Sequence, residues 1–298
     1  MLNRKKILNR SAPLASDKLD QTMPLEYACI MPHGSDMIPQ LAVRKTEHLF
    51  EQTRESVRRI ARDIRGIRPD LIIIATPHNL RLQSKIAIVT AENSTGQLNG
   101  PRGRKVKLSL KCDREAAQNL LEEATRKHLP VVGANYGTAE GPGSDMPMDW
   151  GVLVPMWFVS REERVKAKTV IVAPSREIPL RQNIAFGVAI ADMAEKTKKH
   201  VAFIASADQA HAHKKSGPYG YHRSAAKYDG FVSQAIEKNR IQSISKLSKR
   251  FVEEAKPDSL WQMGILAGLA RVVKMRGNLL SYAVPTYYGM ICASFVRV

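Results

Sequence analysis

Three histidines in this sequence follow stretches that read as buried strands. His33 follows Leu25–Met31 (LEYACIM) through Pro32, and His78 follows Leu71–Ala75 (LIIIA) through Thr76 and Pro77. His211 lies in Ala207-Asp208-Gln209-Ala210-His211-Ala212-His213, after the apolar run that begins at Val201. The proline before His33 and before His78 holds its own preceding residue extended and stiffens the chain that presents each imidazole. Two neutral imidazoles suit iron, zinc or manganese, and one carboxylate would complete a facial triad that leaves coordination positions open. A single histidine is more often a hydrogen-bonded structural residue, so the repeated Pro-His at equivalent strand ends is what carries the metal reading. His211 has a pKa suited to general acid or base work. His213, beside Lys214 and Lys215, reads as a solvated loop residue.

Those histidines need a sheet whose strand ends converge, because ligands of open α/β sheets bind outside the carboxyl ends of the strands. Both short apolar runs are bounded by turn residues and are too short for helices. An amphipathic helix is expected over Leu41–Ile64, and further strands over Ile86–Thr90, Val106–Leu110, Val170–Ala173 and Val201–Ala205. Helices are expected over Cys112–His128 and Ile184–Lys199, then from Arg223 through Val273 with a break at Lys256-Pro257-Asp258. The aromatic and β-branched run Tyr282–Val298 closes the chain. Gly96–Gly103 and Gly133–Gly151 read as the longest irregular segments. Alternation of strands and helices gives an α/β fold, with one central, mainly parallel or mixed sheet flanked by helices on both faces. Residues 1–24 read as a basic flexible tail and 25–298 as a single catalytic domain.

Lys and Arg number 46 against 28 Asp and Glu, a formal charge of +18 spread over several segments. A spread charge attracts anions in general and names no partner. Nucleic acid is disfavoured, since aromatics are only 6% of the residues and no binding motif is present. Cys29, Cys112 and Cys292 stand far apart, which argues against a disulfide framework or a thiolate metal site and suits a reducing, cytoplasmic setting. No apolar stretch reaches membrane-spanning length.

Several stretches together resemble the class III extradiol ring-cleavage dioxygenases, the LigB-type catalytic subunits. They are CIMPHGSDMIPQL (Cys29–Leu41), IIIATPHN (Ile72–Asn79), MDWGVLVPMWF (Met148–Phe158), IASADQAHAH (Ile204–His213), GPYGYH (Gly217–His222), EEAKPDSLWQMGIL (Glu253–Leu266) and PTYYGMICASF (Pro285–Phe295). The resemblance implies a metal site of two histidines and a glutamate. The histidines are His33 and His78, and register against DSLWQMGIL places the glutamate at Glu254, with Glu253 as the alternative. It also implies that His211 is the acid/base residue beside the metal. At Asp149-Trp150-Gly151 the chain departs from relatives that carry Asp-His-Gly, and Trp150 cannot shuttle a proton.

The activity implied is insertion of both atoms of O2 into a catechol or aminophenol by ferrous iron, with zinc and manganese still open as the metal. Trp150, Tyr219 and His222 are the expected pocket-lining residues. The expected partners are a small aromatic diol or aminophenol and O2, and both homo-oligomers and hetero-oligomers are compatible with the sequence. The rival readings are a Memo-like metal-binding protein without ring cleavage, a zinc enzyme on the same scaffold, and a basic nucleic-acid-binding protein.

Overall fold

The computed structural model describes residues 24–298, so all of the expected basic tail except Pro24 lies outside the described residues. From β1 (Leu25–Met31) the chain passes through α1 (Glu51–Ile67) to β2 (Leu71–Ala75). It continues through β3 (Ile86–Val89), β4 (Asn93–Asn99), β5 (Lys105–Lys111), α2 (Arg114–Arg126), β6 (Val131–Ala134) and β7 (Asp145–Pro147). Next come α3 (Trp150–Met156), β8 (Lys168–Ala173), α4 (Leu180–Lys196) and β9 (Val201–Ser206). The last elements are α5 (Ser224–Glu237), α6 (Lys249–Ala255), α7 (Leu260–Val272), β10 (Met275–Ala283) and β11 (Met290–Arg297).

Among the described residues eight strands form one mixed sheet in the order β10-β11-β1-β9-β2-β8-β3-β6. Its centre, β1-β9-β2-β8, is parallel throughout, while β10, β11 and β3 pair antiparallel with inner neighbours. The central strands are apolar on both faces because both are covered. In β2, Leu71, Ile73 and Ala75 join the core under α2, α4, α5 and α7, while Ile72 and Ile74 point into the core under α1 and α3. No residue of β2 is more than 1% exposed.

Three expectations are corrected. The helix expected from Leu41 begins only at Glu51, because Arg54 draws the carbonyls of Asp36, Met37 and Glu47 onto its guanidinium and so folds the preceding segment over the helix. Val106–Leu110 does extend a strand, but β5 pairs with β4 in a separate three-stranded sheet completed by β7. Gly96–Gly103 is irregular only beyond Asn99, since Gly96 lies within β4, where a Cβ would stand 2.6 Å from the Met148 carbonyl oxygen.

Strand β9, late in the chain, inserts between β1 and β2, so His33, Ser206 and His78 leave three adjacent strands at one edge. Helix α7 is held over that edge by a close crossing with α4, where a Cβ on Gly187 or Gly268 would collide with the carbonyl oxygens of Ile265 and Ile184. The three cysteines are free and buried, and among the described residues no helix is long and apolar enough to cross a membrane.

Gly268→Ala is expected to destabilise the protein by about 1–3 kcal/mol through overpacking, read as a lowered unfolding midpoint. Gly66→Ala, in α1 with nothing within 4 Å of the added Cβ, should raise it by about 0.5–1 kcal/mol.

Candidate metal centre

His33 is 1% exposed, and its tautomer is fixed from behind. Ser206 Oγ–H donates to the Gly151 carbonyl at 2.5 Å, so its oxygen is left to accept from His33 Nδ1–H at 3.0 Å. The neutral ring therefore turns the lone pair of Nε2 toward the site. There it meets His78 Nε2 at 3.1 Å and Asp258 Oδ2 at 3.4 Å. Asp258 Oδ2 in turn lies 2.8 Å from His78 Nε2.

His78 is placed by the turn that ends β2. Its backbone N–H donates to Thr76 Oγ1 at 3.3 Å, and Thr76 donates to Asp149 Oδ1 at 2.8 Å. Asp149 also caps the start of α3 by accepting from Val152 N–H, and Trp150, the first residue of that helix, stacks on the His78 ring at 4.1 Å. Gly151 admits no side chain here, because a Cβ would collide with Thr76 Oγ1.

Asp258 sits in the break between α6 and α7. Helix α6 stops as Lys256 turns left-handed at φ 55°, a conformation that costs about 1 kcal/mol outside glycine, and Pro257 cannot continue the helix. The His211 backbone N–H donates to the Ala255 and Lys256 carbonyls at 3.1 Å each and pins that turn. Gln262, fully buried, donates to the Asp258 and Ser206 carbonyls and joins α7 to the end of β9. The second carboxylate oxygen of Asp258 pairs with Arg176, whose guanidinium lies 4.7 Å over the Trp261 ring.

Burial works against charge on both partners, and the pairing outweighs it. Burial alone would raise the Asp258 carboxyl, but the contacts with His33, His78 and Arg176 hold it well below the usual carboxylate range. Burial alone would lower His33, but Asp208 and Asp258 leave it raised. Asp208 is raised by its own burial, although it accepts the His33 backbone N–H at 3.0 Å and stands 3.4 Å from His33 Nε2.

His33, His78 and Asp258 offer one ligand atom each, all within 4.8 Å of one another. Ligands at right angles around an ion at about 2.1 Å stand about 3 Å apart, which matches the separations here. The set of two imidazoles and one carboxylate on one side fits a mononuclear divalent site with positions to spare. Above it opens a cavity of 1510 Å³, walled near the histidines by Trp150, Tyr219, Tyr287 and Tyr288.

Residues 27–292 match the family described as the catalytic LigB subunit of aromatic ring-opening dioxygenase. The chain belongs to the LigB family. It is 27% identical over 261 residues to Protein CA_C1420 of Clostridium acetobutylicum, covering 87% of this chain and 55% of that protein. The chain thus spans about half the length of that relative. The crystal structure of an uncharacterized Escherichia coli protein, JW3007, shares the fold at TM-score 0.56 and 13% identity, over 90% of this chain and 99% of that one.

In this LigB chain the structure brings together His33, His78, His211, Trp150 and Tyr219 around the cavity. His211 donates Nδ1–H to the Gln209 carbonyl at 2.8 Å, stacks on Tyr288, and has its pKa lowered by burial. Glu254 is not brought in. It lies on the side of α6 that meets α5, bonded to Ser224 Oγ at 2.8 Å and Arg250 at 3.0 Å, and Asp258, one turn further on, is the carboxylate that stands beside His33 and His78. Glu253 faces the cavity mouth but is exposed and pairs with Lys249. His222 is not a wall residue: its Nδ1 accepts the Ser224 backbone N–H at the start of α5. His213 is not solvated, because it donates to the buried carboxylate of Asp229 at 2.7 Å. Asp258 appeared in the sequence as part of a helix break and as the first residue of the DSLWQMGIL stretch, with no signal that its own carboxylate meets the histidines, and Asp208, Ser206 and Arg176 carried no signal beyond lying after strands.

Asp258→Ala should abolish retention of a divalent ion measured by elemental analysis, whereas Glu254→Ala should leave it intact. Loss of the Ser206 hydroxyl in Ser206→Ala should weaken metal affinity by roughly 10–100-fold. Metal binding requires neutral imidazole. Because His33 is raised, affinity should begin to fall, as pH is lowered in a metal titration, above the ordinary histidine value of about 6.5.

Proposed function

We propose that this LigB chain is a mononuclear non-haem iron(II) dioxygenase that opens the ring of an aromatic diol or aminophenol beside its heteroatoms. The observation that carries this reading is the grouping of His33, His78 and Asp258 at the floor of an aromatic-walled cavity that His211 also faces. A ferrous ion held there would supply coordination for two adjacent substrate oxygens and for dioxygen, and the electron flow between them.

The protein's own groups do the rest. Trp150 and Tyr219 offer ring faces against which an aromatic substrate stacks. With Nδ1–H committed to the Gln209 carbonyl, His211 has Nε2 as its proton-accepting atom. Its lowered pKa keeps the ring neutral at pH 7, so it takes a proton from a substrate hydroxyl and returns one later in the reaction. Tyr287 and Tyr288 pack beside His211 and hold its ring in place.

A second reading, a Memo-like protein that holds a metal without ring cleavage, is favoured by one observation. Trp150 stacks on His78 where relatives carry a proton-bearing histidine, which leaves His211 as the remaining cavity histidine for proton transfer. Anaerobic reconstitution with ferrous iron followed by exposure to a panel of catechols and aminophenols separates the two. Oxygen uptake with a yellow ring-opened product supports the dioxygenase, and no uptake with any compound leaves the Memo-like reading.

His211→Ala should keep the metal and lose turnover by about 10²–10⁴-fold. In iron-saturated wild type the acid limb of kcat/KM should lie below about pH 6.5, since His211 must be deprotonated to act and its pKa is lowered.

A further inference from the structure

Much of the basic surface is locally compensated. Arg58, Arg62 and Arg65 of α1 pair with Glu162, Glu55 and Glu163, and buried Glu123 gathers Arg126, Lys127 and Lys196. The separate three-stranded sheet differs, because β4 and β5 carry no carboxylate. Side chains alternate along a strand, so Leu98, Val106, Leu108 and Leu110 turn into the core. On the outer face Lys105, Lys107, Ser109 and Lys111 of β5 stand opposite Asn99, Gln97, Thr95 and Asn93 of β4.

These lysines are not neutralised by the protein. Among the described residues Lys111 bonds the Asn93 side-chain oxygen at 2.8 Å, and Lys105 and Lys107 are exposed and form no ion pair. Exposed Arg102 and Arg104 extend the charge around the hairpin, where Arg104 donates to the carbonyls of Pro101 and Ala42 rather than to an acid. Lysines on an edge strand guard it against pairing with other chains. Here Arg161 already blocks that edge by donating to the Lys107 carbonyl at 3.2 Å, and it adds a further cation.

The outer face of β4 and β5 presents no apolar side chain. A protein partner would want an apolar centre, and lysine is depleted from such interfaces. Nucleic-acid interfaces are polar and positive, and they place Lys, Arg, Ser, Thr, Asn and Gln on phosphate and sugar. From Lys105 to Lys111 the row runs about 20 Å at about 3.4 Å per residue. A duplex backbone turns by more than half a revolution over that length, since one helical turn takes about 34 Å, and so leaves the row. A single strand is free to follow it.

We propose that the outer face of β4 and β5 binds single-stranded nucleic acid through its phosphates, without reading the bases. The low aromatic content of the chain does not oppose this, because phosphate contacts require cations and not stacking rings. The hairpin end of the face meets the cavity rim at Leu98 and Asn99, but binding on the face needs neither a metal nor ring cleavage.

The test is a salt series. Full-length protein is titrated into fluorescein-labelled single-stranded RNA and DNA of mixed sequence, and binding is read by anisotropy from low to physiological salt. Contacts from Arg102, Lys105, Lys107, Lys111 and Arg161 should give a slope of about 3.5 in log Kd against log salt. Lys105→Gln with Lys107→Gln should lower that slope by about 1.4. Lys198→Gln with Lys238→Gln, at exposed positions beyond α4 and α5 and with the same change in net charge, should leave it unchanged. Unfolding midpoints check that both variants fold. The surface is overturned by absence of binding at physiological salt, by equal loss in the two variants, by a duplex of the same sequence binding as tightly as the single strand, or by polyglutamate displacing the strand as well as unlabelled strand does.

Discussion

The carboxylate of Asp258 is the group on which the site depends. A charge at 7% exposure is costly unless it is met by partners, and here two imidazoles approach one oxygen and a guanidinium the other. Each partner comes from a different strand end: His33 after β1, His78 after β2, Arg176 after β8. The acid itself comes from the turn before α7. Its burial therefore ties four parts of the chain to one point, and removing any partner leaves a buried charge less well compensated.

Around that point a further layer fixes direction. Ser206 decides which nitrogen of His33 faces the site, and it can do so only because Gly151 offers a carbonyl to the same hydroxyl. Thr76 and Asp149 link the His78 turn to the start of α3, which places Trp150 on the His78 ring. Buried Asp229 accepts from the Ala210 backbone, His213 and Tyr282, so the loop bearing Asp208 and His211 is anchored to α5 and β10. The proposed proton-transfer role of His211 rests on this anchoring as much as on its own chemistry, because a mobile loop would not hold Nε2 toward the cavity.

Legibility of the site followed locality. His33 and His78 could be read from sequence because each sits within three residues of an apolar run whose end must lie at the sheet edge. The carboxylate that stands beside them could not, because helix register alone does not say which face of α6 meets the sheet. The side chain of Glu254 turned toward Ser224 and Arg250, while the residue that reached the histidines lay in the break that Pro257 creates. His213 was misread for a similar reason: its neighbours Lys214 and Lys215 are exposed, but its own partner, Asp229, arrives from a helix sixteen positions on.

What the sequence determined by itself was the set of buried strands and the placing of Pro-His at two of their ends, since apolar runs bounded by turn residues have little choice but to enter the sheet. It also determined that the chain breaks before Asp258, because Pro257 has no backbone N–H to give a helix and cannot continue one. Only the tertiary structure decided that β9 slides between β1 and β2, that β4 and β5 leave the main sheet, and that Asp258 rather than Glu254 stands beside the two histidines. Strand order and helix facing are set by which surfaces cover one another across long sequence separations, and the α4–α7 crossing at Gly187 and Gly268 fixes where the first turn of α7, and with it Asp258, comes to rest.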